Sequence, residues 1–565
     1  MIEMTRFLPF NIDVTGIGRD HTGCRYLEIR IRRERNNPTH LYIRQDELNE
    51  SPAALFRALA IAGIPTITKH RKDRVLHELE RRLDRIPLGQ HDFDIASRVG
   101  WINGAFVTPW RTYCDKGSVD LVSLPSIHDD RRRWKPSGTL EEWRKTAEWA
   151  GDGNPLVKFA ACVALTPPIL ELIGVDGFGF LIVGKSSTGR TTLSRFVGSA
   201  WRGDPTSSRG PLDSWNSTVN NVDRLAAARR DMMFVPDDTK DIEGGIGSKE
   251  GARNLAQMIF RLVGGVRKGR LTDSDEPPAQ WRLLYWATSN QTVREIFEAG
   301  GLEWDPSYSV RLIEIPARRE GGVFDQVPPG QTSSQFADYI RNRTQAAYGT
   351  PINGFLETVV AWRARNQAGM RGWLIARMNE LRTSVDVCGN DGLQSRRLKA
   401  FGAVYAAGCL ASKAGILPWT RDTIKDAVLN VHAAHVAHIM GAQPTRPDPT
   451  EVLRAYIRSH RADFVDVNMI SYNFDSADLE AAPGFLTRTG GVGEFSFLPD
   501  TIRRIVGPRG LGPLLKALKR DGLLIHDHGT SEGTQKNQTK RRLCPAQPGD
   551  DGRRRVYCVD WHILD

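Results

Sequence analysis

The chain has 565 residues, 40% hydrophobic and 25% charged, with a formal net charge of +11 at pH 7. This length exceeds one domain and predicts about three or four, and the composition is that of a globular protein rather than a membrane-embedded chain. The seven cysteines have no paired metal-ligand spacing and are expected to be reduced thiols of a cytoplasmic protein. The basic balance favours a polyanionic partner.

Residues 1–135 are predicted to form an accessory α/β domain. Leu27, Ile29 and Ile31 alternate with charged residues, which is the period of a half-buried β-strand. The segment Trp101–Val107 places an Asn-Gly dipeptide between apolar residues, and this predicts a β-hairpin because Asn-Gly fits the primed two-residue turn. The domain contains neither a polymerase-type carboxylate cluster nor zinc-ligand spacing, which argues against a primase.

A glycine-rich segment follows the apolar run Phe178–Val183 and precedes a helical pattern. A strand, a glycine-rich loop and a helix in this order predict a phosphate-binding loop. The glycines let backbone N–H groups wrap a triphosphate, and the helix N-terminus adds its positive end. We expect ATP here, with Mg²⁺ on the hydroxyl of Thr191. The predicted ATP-binding residues are Gly184, Lys185, Ser186, Ser187, Thr188, Gly189, Arg190, Thr191 and Thr192.

The apolar segment Met232–Asp238 is predicted to be a strand that ends in two carboxylates, as a Walker B element does. Asp237 is expected to hold the Mg²⁺ shell, and Asp238 to act as general base on the attacking water. The alternative is an ordinary surface turn after a buried strand. The phosphate-binding loop upstream favours the Walker B interpretation.

The segment Leu283–Ala287 predicts a third strand, and polar residues follow it. A polar side chain there could position water against the γ-phosphate. We choose Asn290 for this role, with Ser289 and Thr288 as rivals. Further on, Arg311 is expected to begin another strand, from which it could reach a neighbouring subunit's γ-phosphate as an arginine finger. The alternative for this arginine is a surface ion pair.

Between these motifs lies a glycine-flanked basic loop with Arg267, Lys268 and Arg270. In a ring-shaped motor such loops grip the phosphates of single-stranded DNA. The alternative is a loop that contacts the phosphates of ATP or only faces solvent.

After the predicted nucleotide-binding core, apolar residues recur with helical spacing and predict a helical segment over 344–445. The last piece, 450–565, has the pattern of a winged helix: a short helix, a strand, a long basic excursion over 529–554 and a returning strand. Such a domain contacts duplex or forked DNA through its helix and wing. The alternative is a protein-docking domain of the same fold. The helix residues predicted to bind DNA are Lys516, Lys519 and Arg520.

Several of these segments together resemble the DUF927 family of P-loop ATPases. The resemblance extends over about residues 20–440. Members of this family occur on phages, plasmids and integrated mobile islands, and some are replicative helicases similar to the AAA+ ring helicases of the MCM type. The segments in the core that carry the resemblance are residues 184–192, 214–218, 237–238, 267–270 and 311–316.

The resemblance implies a hexamer that moves on DNA by using ATP. The family's roles in phosphate and metal binding carry over to Gly184, Gly189, Thr191 and Asp237. Arg396, on a helix of the region after the core, corresponds to a second sensor of the nucleotide. The family pattern has lysine where this chain has Arg190.

Arg190 keeps the positive charge of lysine, but its guanidinium is planar and longer, so it cannot occupy the same pocket unchanged. Lys185, at the second position of the loop, could restore the lost phosphate contact. Three interpretations follow. The chain is an active variant that uses Arg190, Lys185 or both, or it binds nucleotide within a ring and hydrolyses it slowly, or its sequence has been altered to trap ATP.

The sequence thus predicts a multidomain α/β protein with an accessory α/β N-terminal domain over 1–135, an AAA+-like P-loop ATPase core over 136–343, a helical lid over 344–445 and a C-terminal winged helix over 450–565. The predicted function is an ATP-driven DNA helicase or translocase that works as a ring in replication of a mobile genetic element or phage. The rival function is an ATP-gated DNA-binding regulator or defence module that does not unwind.

Overall fold

The computed structural model describes most of the chain and divides it into two compact units, residues 1–439 and 440–565. The described residues are 11–32, 38–64, 67–87, 89–115, 121–124, 127, 133–207, 210–215, 218–266, 280–317, 322–385, 392–442, 449–469, 476–489, 492–507, 510–525, 538–544 and 551–564.

The first unit begins with a five-stranded sheet in the order β3-β2-β1-β4-β8. Leu27, Ile29 and Ile31 are buried, which confirms the strand predicted from their alternation, and they share a core with three helices. The elements of this part are β1 Asn11–Asp20, β2 Arg25–Arg32, β3 Thr39–Arg44, α1 Gln45–Glu50, α2 Ala53–Ile61, α3 Lys69–Leu83, β4 Phe93–Ala96, β5 Gly100–Ile102, β6 Ala105–Val107, β7 Thr112–Tyr113 and β8 Leu121–Ser123.

The predicted hairpin is confirmed as the antiparallel pair β5–β6, to which β7 adds a third strand. Asn103 and Gly104 have φ values of 46° and 84°, as a type I′ turn requires. Trp101 connects the hairpin to the rest of the unit through two hydrogen bonds. Its backbone N–H donates to Oδ2 of the buried Asp231 at 3.1 Å, and its indole Nε1 donates to the carbonyl of Pro168 at 2.8 Å.

The second sheet of this unit has five parallel strands in the order β10-β11-β12-β9-β13. The strand β9 is therefore flanked by β12 and β13, and β12 separates it from β11. The elements from the start of this region to the last strand are α4 Leu140–Gly151, α5 Pro155–Leu165, α6 Leu170–Ile173, β9 Phe178–Val183, α7 Arg190–Ser199, β10 Leu212–Ser214, α8 Val219–Ala227, β11 Met233–Asp237, α9 Lys249–Gly264, β12 Leu284–Ser289, α10 Val293–Ala299 and β13 Leu312–Pro316.

Helices cover both faces of this sheet, as they do in parallel sheets generally. Phe180 and Ile182 of β9 point into one core, which includes residues of α5 and α7, while Leu181 and Val183 point into the other, which includes residues of α9 and α10. The remaining helices of the unit are α11 Ser333–Ala346, α12 Thr350–Thr383, α13 Gly392–Lys413 and α14 Arg421–Ala442, and they confirm the predicted helical segment.

The middle of α13 is buried on all sides, from Leu398 to Ala411 apart from Lys399. A helix that is apolar around its whole circumference lies inside a core. Phe401 contacts the rings of Phe159 and Phe180, so this helix packs into the same core as the first face of the parallel sheet.

The second unit contains a sheet in the order β14-β15-β16-β19-β17, and β18 also pairs with β19. The predicted helix over 511–520 is confirmed at both ends, but the returning strand begins at Arg553, three residues earlier than predicted. The elements are α15 Pro449–His460, β14 Val465–Asp466, α16 Ser476–Ala481, β15 Phe485–Thr489, β16 Val492–Phe497, α17 Pro499–Val506, α18 Leu511–Arg520, β17 Leu524–Ile525, β18 Thr539–Arg542 and β19 Arg553–Asp560.

Over the residues described, no single helix has the length and apolarity to cross a membrane. One bent pair, Pro155–Leu165 with Pro167–Ile173, meets the criteria of length and composition, with an angle of 48° between its parts.

Two glycines of the hairpin allow its attachment to Asp231 to be tested. Gly100 and Gly104 have similar φ values of 88° and 84°, but a Cβ at Gly100 would lie 2.5 Å from Oδ2 of Asp231, whereas a Cβ at Gly104 would meet nothing within 4 Å. We expect Gly100→Ala to destabilise the protein by about 1–3 kcal/mol more than Gly104→Ala, which bears only the backbone strain. The measurement is urea unfolding of the full chain, and equal effects of both substitutions would contradict the attachment.

Candidate nucleotide-binding site

The loop between β9 and α7 turns sharply at two left-handed residues. Ser187 and Gly189 have φ values of 64° and 83°. A Cβ at Gly189 would lie 2.8 Å from Cγ2 of Val323, so the position requires glycine for its backbone conformation and for the space. The side chains of Lys185, Ser186 and Ser187 are exposed. The predicted loop thus has the tight turns that a phosphate-binding loop needs.

Two neighbouring segments hold the backbone of this loop. The N–H of Gly184 donates to the carbonyl of Ser289 at the end of β12, at 3.0 Å. The carbonyl of Thr188 accepts from the N–H of Val323 at 2.9 Å, and the Thr188 hydroxyl donates to the carbonyl of Lys185 at 2.9 Å. The loop therefore keeps its shape through contacts at both of its ends.

Arg190 is the first residue of α7, and only 7% of its surface is exposed. Burial lowers the pKa of its guanidinium from the ordinary value, and the carboxylates of Asp238 and Asp237 act in the opposite direction. Among the described residues, its Nη1 has no hydrogen-bond partner, and neither has the buried hydroxyl of Ser194 one helical turn later. A buried cationic donor without a partner is costly, and an anion bound in the loop would satisfy it.

The acidic pair is held by a threonine of the neighbouring strand. The Thr288 hydroxyl donates to Oδ1 of Asp237 at 3.0 Å and accepts from the backbone N–H of Asp238 at 3.2 Å. The carboxylate of Asp238 accepts from the backbone N–H of Lys240 at 3.2 Å, and its Oδ2 lies 3.4 Å from Lys240 Nζ. The strand β12 thus links the end of β11 to the phosphate-binding loop.

The three side chains considered for the role of water positioning have different environments. Thr288 and Ser289 are buried inside β12, which extends two residues further than predicted. The Ser289 hydroxyl accepts from the Thr239 hydroxyl at 2.8 Å and from the backbone N–H of Gln291 at 3.1 Å. Asn290 is exposed and directly follows the residue whose carbonyl binds Gly184. Among the three, Asn290 alone has an exposed side chain at this edge of the sheet.

The two predicted metal ligands, Thr191 and Asp237, lie in the first turn of α7 and at the end of β11. Over the described chain, no group of three or more His, Cys, Asp or Glu side chains is arranged as a metal site. Thr192 is half-buried in the first turn of α7.

Arg311 lies near the amino-terminal ends of the parallel strands. The phosphate-binding loop of the same chain follows their carboxyl-terminal ends. Arg311 precedes β13 rather than beginning it, and its carbonyl accepts from the N–H of Gly179 at 2.8 Å, near the start of β9. Its guanidinium donates to the carbonyl of Ser307 at 2.8 Å and lies over the ring of Phe260 at 4.3 Å. About 15 Å of strand separates this position from the loop, so Arg311 does not join the loop within one chain.

Arg396 is exposed near the start of α13. The contacts of the neighbouring residues show where the start of this helix lies relative to the parallel sheet. Arg397 donates to the Ser309 hydroxyl at 3.1 Å, and Lys399 donates to the carbonyl of Gly174 at 3.1 Å. Gly174 precedes β9 and Ser309 precedes β13. The structure therefore places the start of α13, like Arg311, at the edge of the sheet away from the loop, and it does not bring Arg396 to the nucleotide site of its own chain.

The predicted DNA-binding residues fall into two groups. Arg267, Lys268 and Arg270 lie outside the described residues. Lys516, Lys519 and Arg520 are exposed on α18, and Arg520 forms an ion pair with Asp521 through Nε and Oδ1 at 2.7 Å.

The sequence reasoning did not identify how the acidic pair is positioned. It considered Thr288 only as a rival to Asn290, whereas the structure shows that Thr288 contacts both Asp237 and Asp238. A hydroxyl at the end of the strand was the available signal. Which strand pairs with which could not be derived from that signal.

The solved structures include one of similar architecture, described as SCCmec type IV Cch, active helicase. It matches with a TM-score of 0.59 and 16% sequence identity over 98% of this chain and 94% of that chain. Two structures described as the A form apo NrS-1 C-terminal region match with a TM-score of 0.25, at 12% and 11% identity, over 74% of this chain and 91% of each of those chains. No curated protein matches the chain.

The fold is thus that of a mixed α/β, multidomain protein, similar to the fold of a helicase. Residues 3–276, just under half of the chain, match the family model described as Domain of unknown function (DUF927), the family that the motifs of this chain resemble. The matched residues contain the loop after β9 and the acidic pair, and they end before β12 and β13.

The contact between Thr288 and the acidic pair predicts a specific defect. Thr288→Val should weaken binding of the Mg²⁺–ATP complex about tenfold, because loss of one hydrogen bond to a half-buried carboxylate is worth about 1–3 kcal/mol. Binding of ATP in the presence of EDTA should change little. The measurement is titration of a fluorescent ATP analogue with and without Mg²⁺. Thr288→Ser keeps the hydroxyl and is the matched control, and an equal loss in both variants would contradict the positioning role.

Proposed function

We propose that this chain is an ATP-driven DNA helicase or translocase that works as a ring in replication of a mobile genetic element or phage. The observation that carries the proposal is the juxtaposition of a tight glycine loop, the buried guanidinium of Arg190 whose Nη1 has no hydrogen-bond partner among the described residues, and two carboxylates linked to the loop through β12. These are the parts that phosphoryl transfer requires: donors for phosphate oxygens, a metal ligand and a base. The likeness in fold to a structure described as an active helicase supports the same proposal.

In this proposal ATP is the substrate, and the backbone N–H groups from Gly184 to Thr192 bind its phosphates together with Lys185 and Arg190. Thr191 and Asp237 would hold Mg²⁺, which when bound neutralises charge on the phosphate oxygens. Asp238 takes the proton of the attacking water, after its carboxylate leaves the contact with Lys240.

The strand order supports an AAA+-like core over 136–343, because an additional strand, β12, lies between the loop strand and the acidic strand. The helices after this core would form a lid over 344–445, and the accessory domain would cover 1–135. The helix α18 followed by antiparallel strands is the order expected for a winged helix over 450–565.

A ring is supported by the positions of Arg311 and Arg396. Both lie at the edge of the sheet opposite their own chain's loop. A cation at that edge could serve a nucleotide only on a neighbouring subunit, as an arginine finger supplied in trans does. The loop with Arg267, Lys268 and Arg270 and the helix with Lys516, Lys519 and Arg520 would supply cations for DNA.

A second function is favoured by two observations. Arg190 stands in the lysine position, and Asp238 is engaged by Lys240. Both features suit a chain that binds ATP and turns it over slowly. The rival is therefore an ATP-gated DNA-binding regulator or defence module that does not unwind DNA.

The rate of ATP hydrolysis tests the proposed function. We expect ATP hydrolysis to rise at least several-fold on addition of single-stranded DNA, and Lys185→Ala to lower it. The measurement is steady-state phosphate release for the chain, Lys185→Ala and Arg190→Lys, with strand displacement measured in parallel. Turnover that occurs only in Arg190→Lys would mean that the chain binds nucleotide without cycling. DNA binding that depends on ATP without displacement in either form would favour the regulator.

A second prediction tests the supply of Arg311 in trans. Arg311→Ala and Asp237→Ala should each abolish turnover, because one lacks the finger and the other the metal ligand. Mixing the two inactive variants should restore part of the activity, since some interfaces would then combine an intact loop with an intact Arg311. The control is each variant mixed with itself at the same total concentration. Absence of any recovery, with subunit exchange verified, would contradict the role in trans.

A further inference from the structure

The hairpin formed by β18 and the start of β19 carries four exposed cations on one face. In the register of this pair, Lys540 lies opposite Arg555, and Arg542 lies opposite Arg553. All four side chains are exposed. Like charges directly opposite each other on neighbouring strands are destabilising. We call these four residues the cationic face.

Among the described residues, the cationic face has no carboxylate partner. In the part of the chain that the structure describes, no carboxylate lies within 4.0 Å of any of these four side chains. The opposite face of the hairpin differs, because Arg541 forms an ion pair with Glu494 at 2.7 Å and Thr539 and Val556 are buried. One face of the hairpin is thus packed and its Arg541 is paired with a carboxylate, whereas the other face carries four exposed cations.

The dimensions of this face match those of duplex DNA. Directly opposite side chains on a hairpin lie about 5 Å apart, and alternate residues along a strand about 7 Å apart. Each strand of duplex DNA carries one negative charge per about 3.4 Å of helix axis, which gives about two phosphates of one strand over the same 7 Å. Its major groove also admits a two-stranded ribbon.

The composition of the face favours duplex DNA over a single strand or an inserted membrane surface. Proteins that bind single strands stack bases on aromatic side chains, and proteins that bind membranes insert apolar ones. The cationic face consists of lysine and arginine alone. Sequence is read by hydrogen bonds to base edges, so a face that neutralises phosphates is expected to bind without sequence preference.

We propose that the cationic face binds the phosphate backbone of duplex DNA. This inference rests on the proposed function, which requires DNA as partner, and it names the residues and the form of DNA for the second unit. Arg541 is excluded from the contact because Glu494 holds it on the other face. The unfavourable repulsion between the opposed cations is relieved when phosphates bind.

The test compares two double variants of the full chain that have equal net charge. Lys540→Gln/Arg542→Gln removes two cations of the face, and Arg461→Gln/Arg504→Gln removes two exposed cations elsewhere in the second unit. The probe is a 30-base-pair DNA duplex, titrated by fluorescence anisotropy at several salt concentrations, with a single strand of equal length and an RNA duplex as comparisons. Thermal unfolding is recorded for each variant.

Removal of two phosphate contacts should reduce the slope of log affinity against log salt by about 1.8. From 50 to 200 mM salt, the face variant should therefore lose about tenfold less affinity for the DNA duplex than the unaltered chain. The control variant should keep the original slope. The unfolding temperature of the face variant should be unchanged or higher, because repulsion is removed.

An unchanged slope in the face variant, an equal change in the control, or a change limited to the single strand or the RNA duplex would overturn the proposal. ATP turnover stimulated by single-stranded DNA, measured in the same buffer, reports on the proposed function separately. If that stimulation persists while the duplex slope does not change, the cationic face is wrong and the helicase proposal stands. If single-stranded DNA does not stimulate ATP turnover but the salt slope of duplex binding falls in the face variant, the duplex site is supported and the helicase proposal is not.

Discussion

The strand β9 fixes the position of everything that the nucleotide site needs. All six of its residues are buried, and it pairs with a parallel strand on each side. Gly179 leaves the space that the ring of Tyr285 occupies, since a Cβ there would lie 2.3 Å from that ring. A strand enclosed in this way cannot shift its register without moving every side chain to the wrong face. The loop that follows Val183 is therefore anchored.

The two ends of the parallel strands carry different groups, and the position of β9 fixes both sets. At the carboxyl edge Gly184 binds the carbonyl of Ser289, and the loop, Arg190 and the acidic pair come together. At the amino edge Gly179 binds the carbonyl of Arg311, and the cations of α13 lie nearby. In the proposed function, phosphoryl transfer uses groups from both of these ends. In the proposed ring, one subunit's amino edge completes the next subunit's site.

The partners of the charged groups distinguish those that stabilise the fold from those available to ligands. Arg541 binds Glu494, so this arginine is fixed by the protein. Arg190 is buried with an unpartnered donor, and the cationic face of the second unit opposes like charges across a hairpin. A buried donor without a partner and like charges opposite each other are both unfavourable in the isolated protein. A phosphate group would remove the penalty in both places, which is why we assign both to phosphate-bearing ligands.

Local patterns in the sequence determined the elements, and the tertiary structure decided which of them meet. Alternation, helical spacing and Asn-Gly were sufficient for β2, the β5–β6 hairpin, β9 and α18, because each depends on residues close in the chain. The contact of Thr288 with Asp237 spans 51 residues, and β18 is a short polar strand without a hydrophobic period. Such pairings depend on hydrogen bonds between distant segments. Only the strand order could therefore place Arg311 and the start of α13 away from the loop and align the four cations.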